Sequence, residues 1–130
     1  MDLMGTKTLV VDDSLVVAKQ LTSLLNEDGR FDVVGHAKDG AEALTMVANE
    51  QPRLVLLDMV MPTMDGITAL RAIRKVDATI RVVILSTVGG EAERAEEALR
   101  IGAAAVIAKP YDPQELLNVL VKAVQEDSPE

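Results

Sequence analysis

Residues 54–62 read Leu-Val-Leu-Leu-Asp-Met-Val-Met-Pro, an apolar run that reaches one carboxylate. Four consecutive apolar residues without alternation are typical of a strand buried on both faces of a sheet. Asp58 follows this strand, and Pro62 and the Asp65-Gly66 pair predict a loop and turn just beyond it. A carboxylate at the carboxyl end of a central parallel strand lies where open α/β sheets bind ligands, whereas a lone Asp there can simply end the strand and cap the next element.

Four other apolar runs predict further strands, at residues 8–11, 31–35, 80–85 and 103–108. Segments with helical periodicity follow each strand, and the side chains expected to face the core are Ala18, Leu21, Leu25, Leu44, Val47, Ala48, Ile67, Leu70, Ile73, Ala95, Ala98, Leu99, Gly102, Leu117, Leu120, Val121 and Val124. Ser14, Asp39 and Asp112-Pro113 are suited to begin helices. Alternation of strands and helices predicts right-handed crossovers and a mostly parallel sheet with helices on both faces.

The composition excludes several classes of protein. A length of 130 residues with 48% hydrophobic residues predicts one folded domain, with a core at about 7–124 and a polar tail at 126–130. The net charge of −8 and the 2% aromatic content argue against direct binding of nucleic acid or an anionic membrane. The absence of Cys excludes disulfides and thiolate sites, and neither a signal peptide nor an apolar run of about 20 residues is present, so a cytoplasmic protein is expected.

Polar side chains follow four of the five predicted strands. They are Asp12-Asp13 after the first strand, Asp58 after the third, Ser86-Thr87 after the fourth and Lys109 after the fifth. In a parallel sheet these strand ends share one edge, where two carboxylates ~4 Å apart would repel by ~4 kcal/mol at an effective dielectric near ~20. Lys109 or a hard divalent metal, Mg²⁺ or Mn²⁺, could offset that repulsion. Such an ion also binds phosphate oxygens, so the edge is suited to receive a phosphoryl group on an Asp nucleophile.

Four stretches together resemble the receiver domain of bacterial response regulators, especially single-domain chemotaxis-type receivers. The stretches are Val10-Val11-Asp12-Asp13-Ser14, residues 56–66, Ile84-Leu85-Ser86 and Ala108-Lys109-Pro110. The likeness runs from about Lys7 to Val124. It implies a flavodoxin-like (βα)5 fold, with a five-stranded parallel sheet in the order 2-1-3-4-5 and a cis peptide bond between Lys109 and Pro110.

The resemblance also implies a role for each polar residue at the sheet edge. Asp58 would be the phosphoacceptor, Lys109 would contact the phosphoryl group, and Ser86 would be the switch hydroxyl, with Thr87 as the alternative. The metal, Mg²⁺ or Mn²⁺, would be held by Asp12, Asp13, Asp58 and the backbone carbonyl of Val60.

Two positions depart from the receiver pattern. Many receivers carry Tyr or Phe three residues before the Lys, and this chain has Val106 there, so rotation of an aromatic ring cannot be the readout. The residue after the switch hydroxyl is usually small, and Thr87 is only a fair match to it. The signal would then pass through Ser86, the loop at Gly89-Gly90 and movement of the fourth helix.

The resemblance implies a phosphorylation-activated switch of a two-component system, and no enzyme beyond catalysis of its own phosphorylation and slow dephosphorylation. The donor would be a histidine kinase or a phosphotransfer protein, and a target protein would bind the face of the fourth helix, fifth strand and fifth helix. A monomer or weak dimer is expected, without membrane insertion. The alternatives are a fragment of a larger regulator, a phospho-independent scaffold, an Asp-nucleophile phosphohydrolase and a flavin-binding protein. His36, the single His, is interpreted as an ordinary strand-end residue.

Overall fold

The computed structural model describes residues 5–60, 64–87 and 92–125, in which five strands alternate with five helices. The elements are β1 (Thr6–Val11), α1 (Leu15–Asp28), β2 (Phe31–Ala37), α2 (Gly40–Glu50), β3 (Leu54–Asp58), α3 (Gly66–Val76), β4 (Arg81–Thr87), α4 (Ala92–Ile101), β5 (Ala105–Lys109) and α5 (Pro113–Gln125). The Gly89-Gly90 loop and the polar tail at 126–130, both expected from the sequence, lie outside the described residues.

The five strands form one parallel sheet in the order β2-β1-β3-β4-β5, which confirms the predicted flavodoxin-like topology. All five residues of β3 are buried. Val55 and Leu57 belong to the apolar cluster beneath α2, α3 and α4, whereas Leu54 and Leu56 belong to the cluster beneath α1 and α5. The apolar run therefore supplies both cores at once, because successive side chains of a strand point to opposite faces.

The helix boundaries follow the capping residues. The Ser14 hydroxyl accepts the N–H of Val17 at 3.2 Å, and α1 ends at Gly29, which has a φ of 88° that glycine adopts without strain. The Asp39 carboxylate accepts the N–H of Glu42 at 2.8 Å and starts α2. The caps at Ser14 and Asp39 fix where β1 and β2 pass into the next helix, so they also fix two of the loops at the carboxyl edge of the sheet.

Two predicted core positions are wrong. Ala48 is exposed, because the buried stripe of α2 runs through Ala43 and Val47. Leu99 is 50% exposed, because α4 contacts the sheet through Ala98, which is fully buried. In both helices the predicted residue just before the wrong one, Val47 or Ala98, is buried, so the predicted stripe extended one residue too far. Four strands, β1, β2, β4 and β5, also differ from the predicted boundaries by two residues at one end.

No helix within the described residues is both long and apolar enough to cross a membrane.

Candidate functional site

Three carboxylates meet at the carboxyl edge of the sheet, as the sequence predicted. Each of Asp12, Asp13 and Asp58 contributes one oxygen to a group whose members all lie within 4.8 Å of one another. Asp12 and Asp58 are buried, and Asp13 is exposed. Two full negative charges at this separation repel by about 3 kcal/mol at an effective dielectric near ~20. This group, called here the acidic corner, therefore favours a bound cation.

Lys109 supplies one cation from the neighbouring side of the corner. Its Nζ donates to Oδ1 of Asp58 at 3.1 Å, and the side chains are 27% and 10% exposed respectively. The ammonium comes from the end of β5, and the Lys109-Pro110 peptide bond is cis, as the resemblance to receivers implied. One ammonium cannot neutralise three carboxylates, so the corner retains an excess of negative charge.

The backbone around Asp58 is held on both sides. Met59, the next residue, donates its N–H to the carbonyl of Leu85 at 2.9 Å, and its own carbonyl accepts the N–H of Gly66 at 2.9 Å. A Cβ on Gly66 would stand 2.8 Å from the Cα of Met59 and 3.0 Å from the carbonyl oxygen of Asp58. Only glycine permits this approach without a shift of backbone, so Gly66 lets the start of α3 close against the end of β3.

Asp12 is the carboxylate whose surroundings are least satisfied. Its Oδ1 accepts the N–H of Ser14 at 2.8 Å, but its Oδ2 is buried without a hydrogen-bond partner in the part of the chain that the structure describes. Burial raises the pKa of Asp12, and the negative charges of Asp58 and Asp13 raise it further against the opposing effects of the Ser14 N–H and Lys109. An orphaned carboxylate oxygen in an anionic group fits a hard divalent cation and its bound waters.

Three further residues were predicted for the site: the hydroxyl residues Ser86 and Thr87, and Val60. Ser86 is 4% exposed and lies in β4 opposite Ala108, one residue beyond the Leu85 that pairs with Asp58. Thr87 continues β4, but its side chain is outside the described residues, so the choice between the two hydroxyls stays a prediction. Val60 is 53% exposed, and the metal-ligand role of its carbonyl also stays a prediction.

Sequence reasoning missed one contact at the corner. The Nε2 atom of His36 lies 2.7 Å from the carbonyl oxygen of Asp12. The residue type gives no signal of this contact, which depends on the register of β2 against β1. In that register His36 pairs with Val10, two residues before Asp12.

Comparisons with known proteins identify the family of the chain. The family model "Response regulator receiver domain" matches residues 8–121. The chain belongs to that family. This receiver domain is 34% identical to chemotaxis protein CheY of Bacillus subtilis (strain 168) over 121 residues, which cover 93% of this chain and 99% of that protein.

A similar segment also occurs in longer proteins, of which this chain spans about 30% of the length. The chain is 43% identical over 104 residues to protein-glutamate methylesterase/protein-glutamine glutaminase 5 of Myxococcus xanthus (strain DK1622), covering 80% of this chain and 30% of that protein. A chain in the crystal structure of the CheX-CheY-BeF3-Mg²⁺ complex from Borrelia burgdorferi is 34% identical, with a TM-score of 0.87, and the match covers 95% of this chain and 92% of that one. The family and its relatives place the receiver domain in two-component signalling.

Proposed function

We propose that this chain is a phosphorylation-activated switch that accepts a phosphoryl group on Asp58 from the phosphohistidine of a histidine kinase or phosphotransfer protein. The observation that carries the proposal is the position of Asp58. It ends the central buried strand, bonds to Lys109 at 3.1 Å and lies within 4.8 Å of two other carboxylates. A capping role does not explain this placement, because every neighbouring carboxylate makes the charge on Asp58 more costly.

The acidic corner would hold Mg²⁺, with Mn²⁺ as the alternative, through Asp12, Asp13, Asp58 and the carbonyl of Val60. The group of oxygens and the unpartnered Oδ2 of Asp12 support this assignment. When bound, such an ion neutralises the oxygens of a phosphoryl group and orients them. The crystallised CheY relative, whose structure is described as a complex with BeF3 and Mg²⁺, supports the same assignment.

The chain's own residues have separate parts in the transfer. An oxygen of Asp58 attacks phosphorus, the new O–P bond forms as the P–N bond of the phosphohistidine breaks, and the imidazole leaves with the electron pair. The ammonium of Lys109 would move from Asp58 towards the phosphoryl oxygens as negative charge leaves the carboxylate for the acyl phosphate. The hydroxyl of Ser86, at the adjacent strand end, would then bond to the phosphoryl group.

The output would be a two-state shift of α4 and its preceding loop that changes the binding of a target protein at the face of α4, β5 and α5. Val106 of β5 lies half-buried on this face, opposite Ile84, and packs against the cluster beneath α2, α3 and α4. We also propose that residues 1–130 act as one domain. This domain would be a monomer or weak dimer in the cytoplasm.

A second candidate comes from the longer relatives. The Myxococcus methylesterase aligns with this chain over only 30% of its own length. The chain could therefore act as the regulatory portion of a longer regulator, with its output face against an attached domain. The chemistry at Asp58 would be the same in both cases.

The test is phosphorylation by acetyl phosphate or phosphoramidate in the presence of Mg²⁺, followed by intact mass. Wild type should gain the mass of one phosphoryl group, and Asp58→Asn should gain none. Asp32→Asn is the matched control, because Asp32 is an exposed carboxylate on β2 outside the acidic corner. Equal labelling of Asp58→Asn and wild type would show that the acceptor is another residue.

A further inference from the structure

His36 binds the main chain of Asp12 from the neighbouring strand. A carbonyl oxygen only accepts hydrogen bonds, so at 2.7 Å from the Asp12 oxygen the Nε2 atom must carry the hydrogen and donate it. The N–H of Asp12 donates to the carbonyl of Ala37 at 3.0 Å. Both main-chain polar groups of Asp12 are therefore held by β2, although β1 itself ends at Val11.

The imidazole extends the strand ladder by one bond. Backbone pairing between β1 and β2 ends with Val11 opposite Ala37, because β2 then leaves for the N-cap of α2 at Asp39. The register shifts by one residue between Thr8 and Leu9, so His36 pairs with Val10 and not with Val11. Since side chains alternate between the two faces of a strand, this irregularity also decides which face His36 presents.

We propose that His36 is a positioning residue for the metal site, acting through the peptide that joins Asp12 to Asp13. The carbonyl of Asp12 and the N and Cα atoms of Asp13 lie in one plane, so a bond to that carbonyl limits rotation of the plane. Asp13 is exposed, and its carboxylate therefore depends on its backbone to stay within 4.8 Å of the other two. The inference rests on the proposed function in that it takes this acidic corner to be the Mg²⁺ site.

Two substitutions separate the hydrogen bond from the packing of the ring. His36→Phe keeps an aromatic ring and removes the donor, whereas His36→Gln keeps an N–H at similar reach. We expect His36→Phe to bind Mg²⁺ about five-fold more weakly, which is the loss of a hydrogen bond of about 1 kcal/mol. His36→Gln should stay within about two-fold of wild type. Affinity is measured from amide shifts during titration with MgCl2.

Ser23→Ala is the matched control, because Ser23 lines the same groove as His36, whereas the hydrogen bonds that the structure describes for Asp12 are to Ser14, His36 and Ala37. Its Mg²⁺ affinity should equal that of wild type. Urea unfolding of each variant reports the structural effect separately. If His36→Phe loses stability and keeps its Mg²⁺ affinity, or if His36→Gln binds as weakly as His36→Phe, the positioning role is refuted.

Labelling of Asp58 adds a second readout. His36→Phe should be labelled more slowly than wild type at limiting Mg²⁺ and at the same rate at saturating Mg²⁺, because the bond acts on affinity and not on the attack. If the labelling rate of His36→Phe were reduced by the same factor at saturating Mg²⁺, the proposal would be contradicted. If wild type binds Mg²⁺ in a His36-dependent way but never labels, the proposed function fails and the positioning role stands.

A measurement on the unmodified chain can still refute the proposal if either variant does not fold. The chain has one His, so its long-range proton–nitrogen NMR spectrum has a single set of ring signals. The neutral ring should carry its hydrogen on Nε2. A hydrogen on Nδ1 would leave Nε2 without a proton to donate, and the proposal would be wrong.

Discussion

Asp12 and Asp65 both accept a backbone N–H where a strand passes into a helix beside Asp58, but the two carboxylates have opposite surroundings. Asp12 is 3% exposed, and burial is the main cause of its raised pKa. Asp65 is exposed at the N-terminus of α3, and the N–H of Thr68 is the main cause of its lowered pKa, with a smaller effect of Arg94. The fold therefore stabilises the charge of Asp65 by itself, whereas the charge of Asp12 requires a cation.

The largest expected effect is on metal binding. Asp13→Ala should weaken Mg²⁺ binding by at least about tenfold, because it removes a carboxylate from the acidic corner. Asp65→Ala should leave the affinity unchanged, since Asp65 caps a helix and is not among the three grouped carboxylates. NMR titration of both variants measures the difference. Equal Mg²⁺ affinities of the two variants would show that Asp13 does not bind the metal and differs in no such way from the capping Asp65.

The next effect concerns the lifetime of the phosphoryl group. By resemblance, the residues two positions after the phosphoacceptor and after the switch hydroxyl flank the path of the hydrolytic water. Here they are Val60, which is 53% exposed, and Val88, which lies outside the described residues. A valine can neither donate to nor accept from that water, so hydrolysis should be slow. Val60→Asn with Val88→Glu should accelerate phosphate release by roughly tenfold.

Val76→Asn is the matched control for that rate, because Val76 is a similarly exposed valine at the far end of α3. Release is followed on purified phosphoprotein after removal of the donor. Loss of phosphate from wild type within seconds, or a double variant no faster than the control, would mean that these valines do not gate the water. The register that places Val88 there would then be replaced by one based on Thr87.

A smaller effect is expected on the free energy of unfolding, which substitutions of Asp12 and of Asp65 should change in opposite directions. Without Mg²⁺ at neutral pH, Asp12→Asn should raise the free energy of unfolding by about 1 kcal/mol, because it removes an uncompensated buried charge. Asp65→Ala should lower it by about 1 kcal/mol, through loss of the N-cap of α3. Urea unfolding measures both. A lower free energy of unfolding in Asp12→Asn would show that the negative charge of the acidic corner is already compensated without a metal.

The pH dependence of these two effects has opposite signs. The pKa of Asp12 is raised in the folded state, so the folded state binds this proton more tightly than the unfolded state does. The contribution of Asp12 to the free energy of unfolding therefore falls as the pH rises from 3.8 through the raised pKa. The gain in Asp12→Asn should therefore disappear below pH 3.8. Asp65 has a lowered pKa, so its stabilisation is present above pH 3.8 and is lost as the pH falls through the lowered pKa.

The parts of the site that could be predicted from sequence are those that depend on strand ends. Asp12, Asp13, Asp58 and Lys109 follow apolar runs, and parallel strands bring such positions to one edge whatever the details of packing. The helix starts at Ser14 and Asp39 were also correct, because a cap acts within three residues of its own position.

The features that could not be predicted depend on register and on helix rotation. The contact of His36 with Asp12 needs the one-residue shift between β1 and β2, which no local pattern in β2 reveals. Ala48 and Leu99 were placed in the core because they continue an apolar stripe, but each helix is rotated so that the preceding residue, Val47 or Ala98, is the one buried against the sheet. Side-chain periodicity identifies a stripe and leaves its centre uncertain by about one residue.

The smallest expected effect tests whether Asp65 connects the site to α4. Nη2 of Arg94 lies 3.2 Å from Oδ2 of Asp65, so an ion pair joins the start of α4 to the start of α3. Exposed pairs of this kind contribute about 0.5 kcal/mol, which is enough to change a two-state equilibrium about two-fold. Arg94→Gln should therefore shift the amides of α4 slightly towards their phosphorylated positions without any phosphodonor.

A double-mutant cycle isolates this pair. Asp65→Asn keeps a residue that caps helices well, so combining it with Arg94→Gln removes the ion pair and leaves the start of α3 intact. Arg71→Gln is the control, because Arg71 pairs with Glu97 in the middle of both helices at 3.3 Å, away from the acidic corner. The coupling between Arg94 and Asp65 should vanish at ~1 M salt, where the screening length is about 3 Å. A coupling that persists there would come from packing of the arginine stem, and α4 would then be attached to α3 by contact and not by charge.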